Sequence, residues 1–480
     1  MTTLLRRPGR ALGILAGAIS LALACDSGPE AARTGKWNVL VLVPDTVRGD
    51  HLSLNGYPKP TSPALEELAR EGVNFTHAIT VAPRTWQSFS SILTGVNPPR
   101  HGVRFLFDHP ILDGTPVLAS VLRNSGYETA AFDGLTFLEE MTGGKAFSEY
   151  FSNLGDDENV LRTLQDWMIR ERETPFLAFV KTKGGHWPYT VTRWLSPEDA
   201  CAGRDHSFNV GDYGIKRIGK QSGFRVEDAK AWNAMVWAVD DDETSRRHRI
   251  AHYDAALRET DAQIGNLIER MRSIGLLEKT IVVFTSDHGE SLGEHGYLQH
   301  GPRVDEPVMH VPLLIYFPKH HPEFAPGRTV GSLVSVIDIM PTLLEAVGVP
   351  IPAGVEGSSL LGEIRRESQE SRWAYGESGR AFMGLDPERH LPGIAGKHRM
   401  VRTAEWKLVH IPTAEGGEDR LFDLRADPGE SVNVAEQHPD VVAALRARLA
   451  PILAADRLLR EDQTLSPEQI ETLRDLGYME

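Results

Sequence analysis

Cysteine is nearly absent from this 480-residue chain, which holds two, Cys25 and Cys201. Two thiols allow one disulfide at most and exclude a fold stapled by a disulfide framework. Basic residues are also in short supply. Lys and Arg number 51 against 66 Asp and Glu, a formal net charge of −15. That balance excludes a nucleic-acid partner, which would demand a basic face. After the first two dozen residues no apolar run is long enough to span a bilayer. What is present is ordinary globular material, 41% hydrophobic and 24% charged. A chain of this length buries one large core, or one big and one small domain.

The N-terminus has the layout of a targeting segment. Arg6, Arg7 and Arg10 precede an apolar run over residues 11–24, which suits a signal-peptide core and is short for a transmembrane helix. The run ends in Leu23-Ala24-Cys25, which resembles the lipobox of bacterial lipoproteins. That resemblance implies cleavage of residues 1–24, acylation of Cys25, and export to the bacterial cell envelope. The protein would then face the periplasm or the exterior as a soluble body on a lipid anchor. An acylated Cys25 also leaves no intramolecular disulfide. Residues 25–36, polar and small, read as a flexible tether.

Residues 38–43 (NVLVLV) form a continuous apolar run, as in a strand covered on both faces. Ser62-Pro63 reads as N-cap and first-turn proline of a helix reaching Glu71. Further strands are expected at 73–79, 129–132, 176–180, 281–285 and 311–316. Helices are expected at 87–94, 117–123 and 159–172. Ile250, Tyr253, Leu257, Ile264, Leu267, Ile268 and Met271 recur at helical spacing and mark the strongest amphipathic helix. This alternation predicts a mostly parallel central sheet flanked by helices over residues 37–370. Residues 199–242 fit no long element and read as a variable loop or cap. From 371 onward, short β-like runs at 400–403, 406–411 and 421–424, with a helix at 439–449, predict a small C-terminal α+β subdomain.

Asp45, His186, Asp287 and His288 follow the ends of three different predicted strands. Ligands bind outside the carboxyl ends of strands in open α/β sheets. Two carboxylates and one imidazole suffice for one divalent cation. A metal beside Thr85 would lower the pKa of its hydroxyl, and the start of a helix favours the same negative charge.

Residues 81–95, VAPRTWQSFSSILTG, resemble the active-site segment of the sulfatase family of the alkaline-phosphatase superfamily. Counting back from Leu93-Thr94-Gly95 sets Thr85 at the position of the cysteine or serine that becomes formylglycine. Gln87 and Phe89 replace the motif proline and arginine. Asp45-Thr46 resembles the metal-binding Asp-Asp pair with its second acid missing. Ser286-Asp287-His288-Gly289-Glu290 is similar to the downstream metal motif, and His300 stands where many members carry lysine. Lys181 and His186-Trp187-Pro188-Tyr189 resemble the element that contacts substrate or leaving group. The resemblance implies Asp45, Thr85, Asp287 and His288 as ligands of one divalent ion, zinc, manganese or calcium. It implies Thr85, His186 and His300 as catalytic residues. Lys181, Arg84 and Arg104 are the candidate contacts for a small anionic ester, glycan- or lipid-borne. The lysine-histidine element expected near residues 134–136 is missing.

Threonine cannot become formylglycine, whose hydrate expels sulfate by collapsing to an aldehyde. The expected reaction is therefore metal-dependent hydrolysis of a sulfate or phosphate ester through a covalent Thr85 ester. It leans toward phosphoesters, phosphodiesters or phosphonate esters. The alternatives are a phosphoethanolamine- or phosphoglycerol-type transferase and a catalytically silent anion-binding relative.

Overall fold

The structure, a computed structural model, describes residues 37–105, 110–187, 189, 191–195, 243–366, 372–379, 393–413 and 416–455. Cys25, Cys201 and the loop expected at 199–242 lie outside the described residues. No helix among the described residues is long and apolar enough to cross a membrane.

Among the described residues ten strands precede residue 340: β1 Asn38–Pro44, β2 Val73–Ile79, β3 Glu128–Asp133, β4 Glu149–Phe151, β5 Phe176–Thr182, β6 Thr280–Thr285, β7 Ser291–Leu292, β8 Leu298–Gln299, β9 His310–Tyr316 and β10 Arg328–Ser335. Eight of them make one sheet in the order β10-β2-β9-β6-β1-β5-β3-β4. All neighbours run parallel except β9, which is antiparallel to both β2 and β6. β7 and β8 form a separate two-stranded ribbon.

The apolar run of β1 reads this way because successive side chains feed opposite faces. Val39, Val41 and Val43 join one core with Phe89, Ile92 and Leu343. Leu40 and Leu42 join the other, with Tyr253, Leu257 and Leu267 of the long helix Glu243–Ser273. Each such side chain contributes about 1.5–3 kcal/mol by leaving water, so β1 is fixed at the centre from both sides.

A second sheet is antiparallel throughout: β11 Ala374–Glu377, β12 Arg399–Arg402, β13 Trp406–Ile411 and β14 Glu418–Asp423. Leu445 and Leu449 of the helix Pro439–Ala455 pack on it against Tyr375, Val401, Leu408 and Leu421. The fold is thus the α/β class with a C-terminal α+β subdomain that the sequence predicts.

Local details depart from expectation for identifiable reasons. Ser62 does not cap its helix; its Oγ accepts the Leu54 N–H at 2.9 Å. The helix expected at 159–172 spans Asp157–Met168, capped by Asp156, whose Oδ1 accepts the Asn159 N–H at 2.9 Å. Arg172 instead lays its guanidinium 4.0 Å from the Trp167 ring. β4 and β10 have no counterpart in the sequence reading. β10 is an edge strand with a register break between Val330 and Leu333, which erases strict alternation.

Candidate active site

β1 and β6 are parallel neighbours paired Leu42 to Phe284, and the same register carried past the strand ends sets Asp45 opposite Asp287. Ligating atoms of Asp45, Asp287 and His288 all lie within 4.8 Å of one another, in buried surroundings. Asp287 Oδ1 accepts the backbone N–H groups of Thr46 (3.1 Å) and His288 (2.9 Å). His288 Nδ1 is 2.9 Å from the Gly289 carbonyl, so it carries the proton and leaves a lone pair on Nε2. That Nε2 is 3.4 Å from Asp287 Oδ2 and 3.7 Å from Asp45 Oδ1. None of these three atoms has a hydrogen-bond partner. Buried acceptors converging without a donor are costly unless a cation joins them. Two carboxylate oxygens and one imidazole fit a single divalent ion.

The electrostatics divide the two carboxylates. Burial pushes the Asp45 carboxyl up, but Lys181, His186 and His288 outweigh it and leave Asp45 at about 2. Asp287 is held well above the usual carboxylate range by burial and by the charge on Asp45. Burial lowers His288 to about 4, which keeps it a neutral ligand at ordinary pH. Lys181, expected as a substrate contact, has its Nζ 3.1 Å from Asp45 Oδ2. Its charge therefore offsets the metal group first.

The loop after β5 folds back onto Asp45. Gly185 N–H donates to the Asp45 carbonyl at 2.9 Å. A Cβ on Gly184 (φ 57°) would stand 2.6 Å from that same oxygen, so only glycine allows the approach. This brings His186 in, its Nδ1–H donating to the Trp187 carbonyl at 2.5 Å. The His300 ring is 5.3 Å from that of His186 and 4.3 Å from that of His288. His300 Nδ1 is 3.0 Å from Glu290 Oε1, both side chains being buried. The structure therefore brings the rings of His186 and His300 together beside His288.

Thr85 is the first residue of the helix Thr85–Thr94, every residue of which is buried. The first turn is tied to the metal loop: Thr80 Oγ1 donates to the Asp287 carbonyl at 2.5 Å and lies 2.9 Å from Ser88 Oγ. Arg84, just before Thr85, is buried and acts electrostatically on His288 and Glu290. Its aliphatic stem crosses Gly379, where a Cβ would stand 1.9 Å from Arg84 Cγ. Arg84 thus remains beside the site.

Arg104, expected as a substrate contact, is engaged by a buried carboxylate. Its guanidinium forks onto Glu377, Nε to Oε1 at 2.9 Å and Nη2 to Oε2 at 2.6 Å, with both side chains almost wholly buried. The physical reason is a buried carboxylate needing a bidentate partner. A second acidic group, His295, Asp305 and Glu430, has ligand atoms equally close together. Arg303 and Lys407 already neutralise its carboxylates.

Sequence reasoning missed Glu290 as the partner of His300, although the quoted motif contains it. It also missed Gln87, whose Nε2 donates to the carbonyls of Arg104 (2.8 Å) and Gly379 (2.9 Å). No local signal announces that bridge.

Comparison with known proteins adds independent findings. The Sulfatase family model matches residues 37–349, and that of the N-sulphoglucosamine sulphohydrolase C-terminal region matches residues 293–455. Arylsulfatase K of Bos taurus is 26% identical over 464 residues, covering 87% of this chain and 81% of that protein. An arylsulfatase of Clostridium perfringens is 26% identical over 469 residues, covering 86% and 93%. Among solved structures, the phosphonate monoester hydrolase of Agrobacterium radiobacter aligns with a TM-score of 0.68 at 22% identity, covering 88% of this chain and 96% of that one. A protein solved with its substrate D-glucosamine-2-N,6-O-disulfate aligns with a TM-score of 0.66 at 18% identity, covering 88% and 100%.

Proposed function

The chain belongs to the sulfatase family, and on that premise we propose that it is a metal-dependent ester hydrolase with Thr85 as its nucleophile, acting on phosphoric esters: monoesters, diesters or phosphonate esters. The carrying observation is the place of Thr85, at the start of a buried helix tied through Thr80 to the Asp287 carbonyl. Asp45, Asp287, His288 and the Thr85 oxygen would hold the divalent ion. When bound, that ion lowers the pKa of the hydroxyl and offsets charge on the transferred group. Thr85 Oγ1 attacks phosphorus, the bond to the leaving oxygen breaks, and that oxygen departs with a proton. Water then attacks the phospho-Thr85 ester and restores the hydroxyl. In this reading His186 and His300, whose rings lie 5.3 Å apart, move these protons. Lys181 keeps Asp45 ionised, and Arg84 supplies positive charge beside the transferred group.

The lean toward phosphorus rests on chemistry: threonine has no aldehyde exit, so its ester must be opened by water. A sulfate ester is the second reading, favoured by the arylsulfatases among the relatives. The lipobox-like residues 21–25 support an exported protein anchored to the cell envelope through Cys25.

The test is turnover of an aryl sulfate, a phosphate monoester, a phosphodiester and a phosphonate monoester by the purified, metal-loaded protein. Thr85→Ala should lower the best activity by at least about a thousandfold, and Thr85→Ser should keep part of it. Mass spectrometry of trapped enzyme should find the transferred group on the peptide spanning Thr85. An active protein whose Thr85→Ala variant turned over normally would overturn the mechanism. Sulfate as the preferred substrate would overturn the lean alone.

A further inference from the structure

Thr46 stands where the resemblance sets a second acid, and its backbone lies in the left-handed region at φ 56°. For a β-branched residue that is a genuine outlier, which persists only when its surroundings over-determine it. Gly185 N–H holds the Asp45 carbonyl at 2.9 Å and Ser286 Oγ accepts the Val47 N–H at 2.9 Å, while one phenol holds the two groups between and beyond them. Tyr253 Oη donates to the Thr46 carbonyl at 2.7 Å and accepts the Arg48 N–H at 2.9 Å, closing the turn after Asp45 from both sides. Tyr253 is fully buried on the helix Glu243–Ser273, its ring edge-on to those of His51 and Tyr189 at 5.4 and 5.5 Å. The Thr46 N–H that this turn presents donates to Asp287 Oδ1 at 3.1 Å. That contact helps orient the Asp287 carboxylate and leaves Oδ2 facing the ion position.

We infer that Tyr253 is a positioning residue for the metal group: its hydroxyl holds Thr46 in the left-handed conformation that orients Asp287 and thereby sets the affinity for the ion. This rests on the divalent-ion reading above. Without the hydroxyl the Thr46 carbonyl loses its donor and the turn relaxes, the Thr46 N–H leaves Oδ1, and the carboxylate is left with the His288 N–H as its one backbone donor. A phenyl ring fills the same space, so the change removes hydrogen bonds and no packing volume.

The experiment is calorimetric titration of the metal-free full chain with Mn²⁺ and with Zn²⁺, beside thermal unfolding without metal. Tyr253→Phe should weaken affinity by about 10–100-fold, the usual effect of losing a group that orients a ligand. Adding Thr46→Gly to Tyr253→Phe should recover most of the loss, because glycine adopts positive φ without being held. A purely packing role for Tyr253 would not be rescued that way. Wild-type affinity in Tyr253→Phe would overturn this inference alone, and so would a loss that Thr46→Gly leaves unrepaired. If Tyr253→Phe does not fold, Thr46→Gly alone decides. A raised unfolding midpoint with unchanged affinity supports stored strain at Thr46, and a lowered midpoint overturns it. Wild-type protein binding neither ion would overturn the metal reading and this inference together.

Discussion

Replacing Glu377 by Gln should destabilise the protein by about 3 kcal/mol at neutral pH. Burial pushes the Glu377 carboxyl up, yet Arg104 and Lys397 more than reverse this and leave it at about 2 against an ordinary 4.5. Linkage converts that gap into about 3 kcal/mol of stability. Geometry gives the same scale independently. The Arg104 fork at 2.9 and 2.6 Å, the Tyr375 hydroxyl at 2.8 Å and Lys397 Nζ at 3.3 Å all meet one carboxylate without solvent. Removing one partner of a buried pair costs about 3–5 kcal/mol. The sign follows from the depressed folded value: the stabilisation is whole above about pH 4.5 and is lost as pH falls through 2. Urea unfolding of wild type and Glu377→Gln at pH 7 and pH 3 measures both effects. The difference should be about 3 kcal/mol at pH 7 and clearly smaller at pH 3. A difference under about 1 kcal/mol at pH 7, or one that does not shrink in acid, would refute the reasoning.

Two further outcomes follow from the site. Because burial and the charge on Asp45 push the Asp287 carboxyl well above the usual carboxylate range without metal, ion binding should be accompanied by proton release. Affinity should then fall as pH is lowered, and His288, held down to about 4 by burial, should add to that fall only in stronger acid. Calorimetry in buffers of different ionisation enthalpy counts the proton, and a count of zero would contradict the division of charge drawn here. Gln87→Met should strand the Arg104 and Gly379 carbonyls, at a cost of about 1–3 kcal/mol. It should lower kcat more than it changes KM, because it loosens the helix that begins at Thr85; steady-state kinetics showing kcat unchanged would dismiss that role.

Much of the frame was legible because its signals are local. A continuous apolar run marks a strand covered on both faces, and β1 is one; helical spacing from Ile250 to Met271 located the long helix. Asp45, Asp287 and His288 could be grouped because strand ends converge in a parallel sheet. What stayed hidden depends on partners far away in the chain. Arg104 reads as an available cation until Glu377, supplied by another sheet, takes both ends of its fork. Lys181 reads as a substrate contact until its register against Val43 sets it beside Asp45. The role of Tyr253 is invisible for a related reason. Its periodicity announces a core ring, and nothing in the spacing says that the hydroxyl ends on a strained turn.

The latch of β11 on the loop before Thr85 has a consequence for how the molecule is made. Glu377 N–H donates to the Val81 carbonyl, Gly379 N–H to the Gly301 carbonyl, and Gly379 itself accepts from Gln87. These residues leave the ribosome long after Asp45, Thr85, Asp287 and His288, and domains generally acquire structure from the N-terminal end during synthesis. A growing chain of about 300 residues therefore carries every proposed metal ligand and the proposed nucleophile while the wall that confines Arg84 has yet to be translated. Fragments ending before residue 374 lack these contacts and are expected to be inert even where the main sheet has formed.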